Sequence, residues 1–123
     1  MALPRYTGLL ERHRMQEAKQ MLIAVLEAQR RYQLENGVFA NGPVEGARLD
    51  IPLTATIYFQ PPRALNNPDD VSDMWRNGNL YRVSITDQGL IYCLNSPANC
   101  SNAGCSGPAG VGFPPASQSQ QCL

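Results

Sequence analysis

The sequence predicts an α+β fold in which a long N-terminal α-helix packs on a small antiparallel β-sheet of three to four strands, with a disulfide-stapled loop at the C-terminus. Three observations predict it. Apolar residues recur at helical spacing from Leu9 to Leu34, two strand-like segments flank a glycine-bearing connection at Asp87-Gln88-Gly89, and all four cysteines fall in the last third of the chain. With 123 residues the chain is expected to build one core. Residues 1–36 are read as the helix and 37–123 as the head that carries the sheet.

The helix is the strongest pattern. Met15, Ala18, Leu22, Val25 and Tyr32 fall on one face at helical steps, and Met21, Leu26 and Ala28 widen that stripe. Charged residues fill much of the remainder, with Glu27 and Arg31 placed four apart in the favourable order. Asn36-Gly37 supplies the stop, because glycine accepts the left-handed conformation that ends many helices. No Ser, Thr, Asp or Asn caps the start, which is only Met1-Ala2-Leu3-Pro4. A helix over residues 3–35 runs about 50 Å at 1.5 Å per residue. The remaining chain makes a globule only about 30 Å across. Met15 to Leu34 is therefore expected to lie against the head and Ala2 to Arg14 to project or lie at an edge.

After Gly37 the helical period stops, and "VFANGPVEGARLDIPLTA" reads as a turn-rich connector with little regular structure. "TATIYFQ" is β-branched and aromatic and is a strand candidate, bounded by Pro52 and Pro61-Pro62. "LYRVSIT" and "LIYCLN" are better strands, and the short connection between them suits an antiparallel hairpin. The final stretch, from Cys100 on, has turn and linker composition and is expected to need covalent ties.

Those ties are Cys93, Cys100, Cys105 and Cys122. Zinc sites want paired thiolates two residues apart, and the chain has no C-x-x-C; its single histidine, His13, is distant. Two disulfides are therefore expected, which places the chain in an oxidising compartment. Three pairings are open from the sequence. A nested pair, Cys93 with Cys122 and Cys100 with Cys105, is expected first because it would tie the last strand to the free end. No secretory signal core precedes the helix. Net charge is zero, with ten basic and ten acidic side chains, so no global field recruits nucleic acid or anionic membrane.

Particular residues carry a family resemblance. "ALPRYTGLLERHRMQEAKQML" resembles the type IV pilins and their type II secretion relatives, whose processed apolar helix runs into an Ala-(Leu/Met)-Pro-x-(Tyr) stretch, here Ala2-Leu3-Pro4-Arg5-Tyr6. Arg12, Arg14 and Glu17-Ala18 resemble the basic run that follows in that family. Arg31 to Phe39 resembles its helix-ending pattern, with Ala40 where a proline is usual. The resemblance is specific over about the first forty residues. It implies a structural subunit, major or minor, of a bacterial type IV pilus, with about twenty apolar residues and a short leader upstream of Ala2, the leader cut by a prepilin peptidase. That length spans a bilayer. The implied life history is an inner-membrane anchor with a periplasmic head, a methylated N-terminus, then assembly into an extracellular filament, with cell adhesion, twitching motility, DNA uptake and conduction all open as its use. The implied partners are further copies of the chain through the N-terminal helix, the pilus assembly machinery and the inner membrane; nucleic acid is not expected. Leu3, Pro4, Tyr6, Leu9, Leu10, Met15, Ala18, Leu22 and Val25 are the helix- and filament-packing positions. Pro4, harmless in a first helical turn, is expected to bend or locally melt the longer helix on assembly.

Other readings are weighed against this one. His13 lacks any partner suggesting catalysis and is read as a helix-surface residue, so neither an enzyme nor a cofactor is expected. Arg5, Arg12, Arg14, Lys19, Arg30 and Arg31 would suit a DNA-binding minor pilin, but Glu11, Glu17, Glu27 and Glu35 interrupt them. Asp69, Asp70 and Asp73 could hold a cation, as the major type II pseudopilins do in a comparable region. Their spacing fits no calcium loop, so a turn or short helix is preferred and no metal is expected. Trp75, Tyr58, Tyr81 and Tyr92 are read as sheet or core residues rather than an adhesive patch. A type II secretion pseudopilin is the nearest alternative, although that class normally lacks a cysteine-stapled end.

Overall fold

The structure, a computed structural model, describes residues 3–106 and 120–122, with side chains from Leu9 to Cys105 and at Gln121 and Cys122. Helix α1 runs from Leu3 to Asn36, 34 residues. Pro4 sits in its first turn, where a missing N–H costs nothing. Gly37 ends it at φ +81°, its amide donating to Gln33 O at 2.8 Å.

A connector follows. It holds a short helix, α2 (Gly42–Gly46), where the sequence suggested no regular structure. Pro43 starts that turn, and the Glu45 carboxylate accepts from the Asn41 amide at 2.8 Å. The strands are β1 (Arg63–Ala64), β2 (Ser72–Trp75), β3 (Arg82–Ile85), β4 (Ile91–Leu94), β5 (Cys105–Ser106) and β6 (Gln120–Cys122). They form one antiparallel sheet in the order β1-β2-β3-β4-β6-β5. Helix α3 (Pro97–Asn102) lies between β4 and β5, its start capped by the Ser96 hydroxyl accepting from Asn99 N.

The fold is the expected long helix on an antiparallel sheet, with six strands rather than three to four. The β3–β4 hairpin is where the sequence placed it. Gly89, at φ +87°, closes its turn with its amide on Thr86 O. By contrast, "TATIYFQ" is not a strand. Thr56 and Phe59 bond to each other across a bend, Pro61 and Pro62 offer no N–H, and only Phe59 bridges to the sheet, opposite Arg76. The aspartate-rich segment is a turn followed by strand β2, not a helix, because Asp73 is buried in a strand and neutralised there by arginines.

Register explains how the sheet meets α1. Ser72, Ile85 and Ile91 form one cross-strand row, and Met74, Val83 and Cys93 another. Met74, Val83, Ile85, Ile91 and Cys93 join Met15, Ala18, Leu22 and Leu26 of α1 in the main core. Val25 and Ala28 pack in a second cluster with Ala40, Leu49 and Ala64 of the connector and β1. Burying a residue such as Met15 or Leu22, each 0% exposed, is worth about 1.5–3 kcal/mol. Arg63, Asp73, Ser84, Tyr92 and Gln121 occupy a row on the opposite face of the sheet.

Both disulfides form, in a different pairing from the nested one: Cys93 with Cys100 and Cys105 with Cys122. The sheet decides this. Cys105 and Cys122 are directly opposite on β5 and β6, Cα atoms 4.2 Å apart, and α3 folds Cys100 back to 5.7 Å from Cys93. Residues 107–119, the rest of the expected C-terminal loop, lie outside the described residues, as do Met1, Ala2 and Leu123.

Candidate functional site

Helix α1 divides into a face the head holds and a face it leaves open. Met15, Ala18, Leu22 and Val25 are all 0% exposed against the chain's own core, so these four of the predicted packing positions are spent within the subunit. The opposite face steps by three and four through Leu9, His13, Gln16, Gln20, Ile23, Glu27, Arg30 and Leu34, all exposed. Leu9, Ile23 and Leu34 are its large apolar members, 61%, 45% and 88% exposed, and Leu10, beside Leu9, is 42% exposed. Leu3, Pro4 and Tyr6 are in α1 by backbone; their side chains lie outside the described residues.

Among the described side chains the hold on the helix begins at Glu11, about a turn earlier than predicted from Met15. The Glu11 carboxylate accepts from Arg76 Nε at 2.8 Å, from Arg76 Nη2 at 3.2 Å and from the Tyr81 hydroxyl at 2.5 Å. Glu11, Arg76 and Tyr81 are all buried. The Arg76 guanidinium also donates to Tyr58 O and lies over the Tyr58 and Phe59 rings, while Arg14 covers Tyr58, its Cζ 4.5 Å from the ring centre. Phe59 meets Tyr81 edge to face. Cation–π stacking and a two-pronged ion pair thus bind helix, connector and β2–β3 hairpin at one point. Burial alone would raise the Glu11 carboxyl, but the bonds from Arg76 and Tyr81 outweigh it and hold it below the usual range. Burial, then the Glu11 carboxylate, pushes the Tyr81 phenol up.

A second anchor sits half-way up the helix. Gln29 is fully buried. Its amide nitrogen donates to Ala40 O and Val71 O at 3.0 Å and to Leu65 O at 3.3 Å, and its oxygen accepts from Ala40 N at 2.8 Å. One side chain therefore satisfies the backbone of the connector and of both ends of the β1–β2 turn, which a buried backbone requires. Periodicity could not have found it, since a glutamine on a helix reads as surface.

The remaining candidates separate. Arg31 forms a two-pronged pair with Asp50 rather than its helix neighbour Glu27, and Arg30 donates to Asp87 O. With Arg14 on Tyr58, at least three of the six cations proposed for a DNA stripe are bound within the chain. His13 is exposed on the helix, and Trp75 and Tyr58 are half-buried, while Tyr81 and Tyr92 are buried. Asp73, 0% exposed, is gripped by Arg63 at 2.6 and 2.7 Å and by Arg82 at 3.3 Å. Those guanidiniums take the place a cation would need. No group of three or more His, Cys, Asp or Glu suited to a metal occurs among the described residues. An apolar groove of about 770 Å³ opens between α2 and residues 51–65. Gly46 forms part of it; a Cβ there would stand 3.1 Å from Leu53 Cδ1 and 3.3 Å from the Ala64 Cβ.

Comparison with family models, curated proteins and solved structures finds no match to this chain. Among the described residues no helix is long and apolar enough to cross a membrane.

Proposed function

We propose that the chain is the head and lower helix of a type IV pilin-like structural subunit, built to stack with copies of itself into an extracellular filament. One observation carries the reading: α1 is 34 residues long, yet among the described side chains the head covers one face of it and leaves Leu9 and Leu10, next below Glu11, exposed. A helix with an apolar tip and an outward stripe of its own has a surface to give to neighbouring helices. The two anchors, at Glu11 and Gln29, fix the angle at which that surface leaves the head. The motifs around Ala2-Leu3-Pro4 and Asn36-Gly37 support the same family.

In this reading the helix continues upstream as an apolar membrane segment, the head waits in the periplasm and assembly draws the subunit outward. The C-terminal disulfide favours a pilin over a secretion pseudopilin, and the internally bound arginines count against a DNA-binding minor pilin. The native coding sequence upstream of Ala2 tests it. A prepilin-type cleavage site followed by an unbroken apolar run with a glutamate near its start is the expected result; translation starting at Met1 would overturn the proposal.

A further inference from the structure

We propose that Asp70 and Asp73 form a proton-operated latch that holds the 66–71 turn against the face of the sheet opposite α1. The latch does not depend on what the helix assembles into.

The turn sits on a polar row of the sheet. Tyr92 donates to Asp69 O at 2.8 Å, the Asp87 amide donates to Pro68 O at 2.8 Å, and Val71 N donates to Ile85 O. Beneath it lies Asp73, fully buried and already holding Arg63 and Arg82. Asp70 comes down beside Asp73, and its Oδ1 is buried with no donor in reach. A carboxylate oxygen in that position would be an unpaired buried charge, which is costly. As a hydroxyl it becomes a donor, and the neighbouring Asp73 carboxylate is the acceptor at hand. Protonated Asp70 therefore closes the turn onto the sheet, and ionised Asp70 sets a second negative charge beside Asp73 with its Oδ1 cut off from water. The groups facing it are Asp73 from β2, Arg63 from β1, Arg82 from β3 and Tyr92 from β4. Burial and then Asp73 push the Asp70 carboxyl up to about 8, against the pull of the two arginines.

The direction follows from linkage. In the lifted turn Asp70 meets water and ionises near 4, the ordinary value for an aspartate. Lifting therefore releases a proton anywhere between that pH and about 8. Lifting grows about tenfold per pH unit across this window and levels off above it.

Amide exchange by NMR reads this at Leu65, Asp70, Val71 and Asp87, whose amides are all bonded in the closed turn. Protection factors, corrected for the intrinsic pH dependence of exchange, are compared from about pH 5 to about pH 9 in the native chain and in Asp70→Asn. The native chain should lose protection about tenfold per unit up to about pH 8, then hold level, and Asp70→Asn should show a flat profile. A flat native profile, or an Asp70→Asn profile that still slopes, overturns the latch. If the variant fails to fold, the Asp70 carboxyl carbon resonance of the native chain decides alone: titration near 8 supports the latch and titration near 4 rejects it.

Discussion

Glu11→Ala should destabilise the head strongly. It removes the carboxylate that takes two bonds from Arg76 and one from Tyr81, and strands a guanidinium whose side chain is only 9% exposed. Breaking a buried pair on one side typically costs about 3–5 kcal/mol. Arg76 keeps Tyr58 O and two aromatic faces, so the lower end, about 3 kcal/mol, is expected here. Urea unfolding of the native head, Glu11→Ala, Arg76→Met and the double variant measures it as a cycle. The two single losses should exceed the double by about 1.5 kcal/mol or more, because the second change removes a charge already orphaned. pH provides an independent check. The folded Glu11 carboxyl lies below its unfolded value. Its stabilisation is therefore complete above the unfolded pKa and drains away as pH falls through the folded one. Glu11→Gln should remove that acid-side loss. A single-variant cost below about 1 kcal/mol, or strict additivity in the cycle, would refute the account of Glu11 as the head's lower grip on the helix.

Three further outcomes are expected. Gln29→Leu leaves the Ala40 amide and carbonyl without the glutamine in the core, while Val71 O keeps the Leu65 amide, and should cost about 2–4 kcal/mol in urea unfolding, at 1–3 kcal/mol per orphaned group with partial relaxation; a loss under about 1 kcal/mol would contradict the clamp. Non-reducing peptide mapping should recover Cys93 with Cys100 and Cys105 with Cys122, and replacing the second pair by serines should cost about 3 kcal/mol from its sequence separation of 17; a peptide joining Cys93 to Cys122 would overturn the pairing. Leu9→Ser with Leu10→Ser should shift head stability by no more than about 0.5 kcal/mol, because both side chains already lie in water, yet should sharply lower filament yield from cells expressing the full-length chain; unimpaired filaments would contradict the role given to that tip.

The sequence made legible the features with a period or a turn signal. The stripe from Met15 to Val25 was readable because burial repeats there every three to four residues, and the β3–β4 hairpin because two β-branched and aromatic runs, buried almost throughout, flank a glycine-bearing turn. Gly37 was readable because few other residues take its backbone conformation. Strand β2 was hidden by its own chemistry: Ser72 and Asp73 look like turn residues until Arg63 and Arg82, one on each neighbouring strand, are seen to neutralise the carboxylate. The six-residue α3 and the two- and three-residue strands β5 and β6 are too short to show any period, and the disulfides tie them to the rest of the head. Pairing was misjudged for the same reason, since it depends on β5 lying beside β6. Glu11 and Gln29 are polar residues in a helix, and only the partners that tertiary contact brings, 65 to 70 residues from Glu11 and 11 to 42 from Gln29, reveal their work.

The account turns on α1 being a rod that stacks with other copies. Helical reconstruction of filaments sheared from cells that make the full-length chain tests this most directly. The account predicts α1 in the filament core, with Leu9 and Leu10 against neighbouring helices and the disulfide-closed heads outside. Filaments that lack this chain, or that join its heads while leaving α1 in solvent, would contradict it.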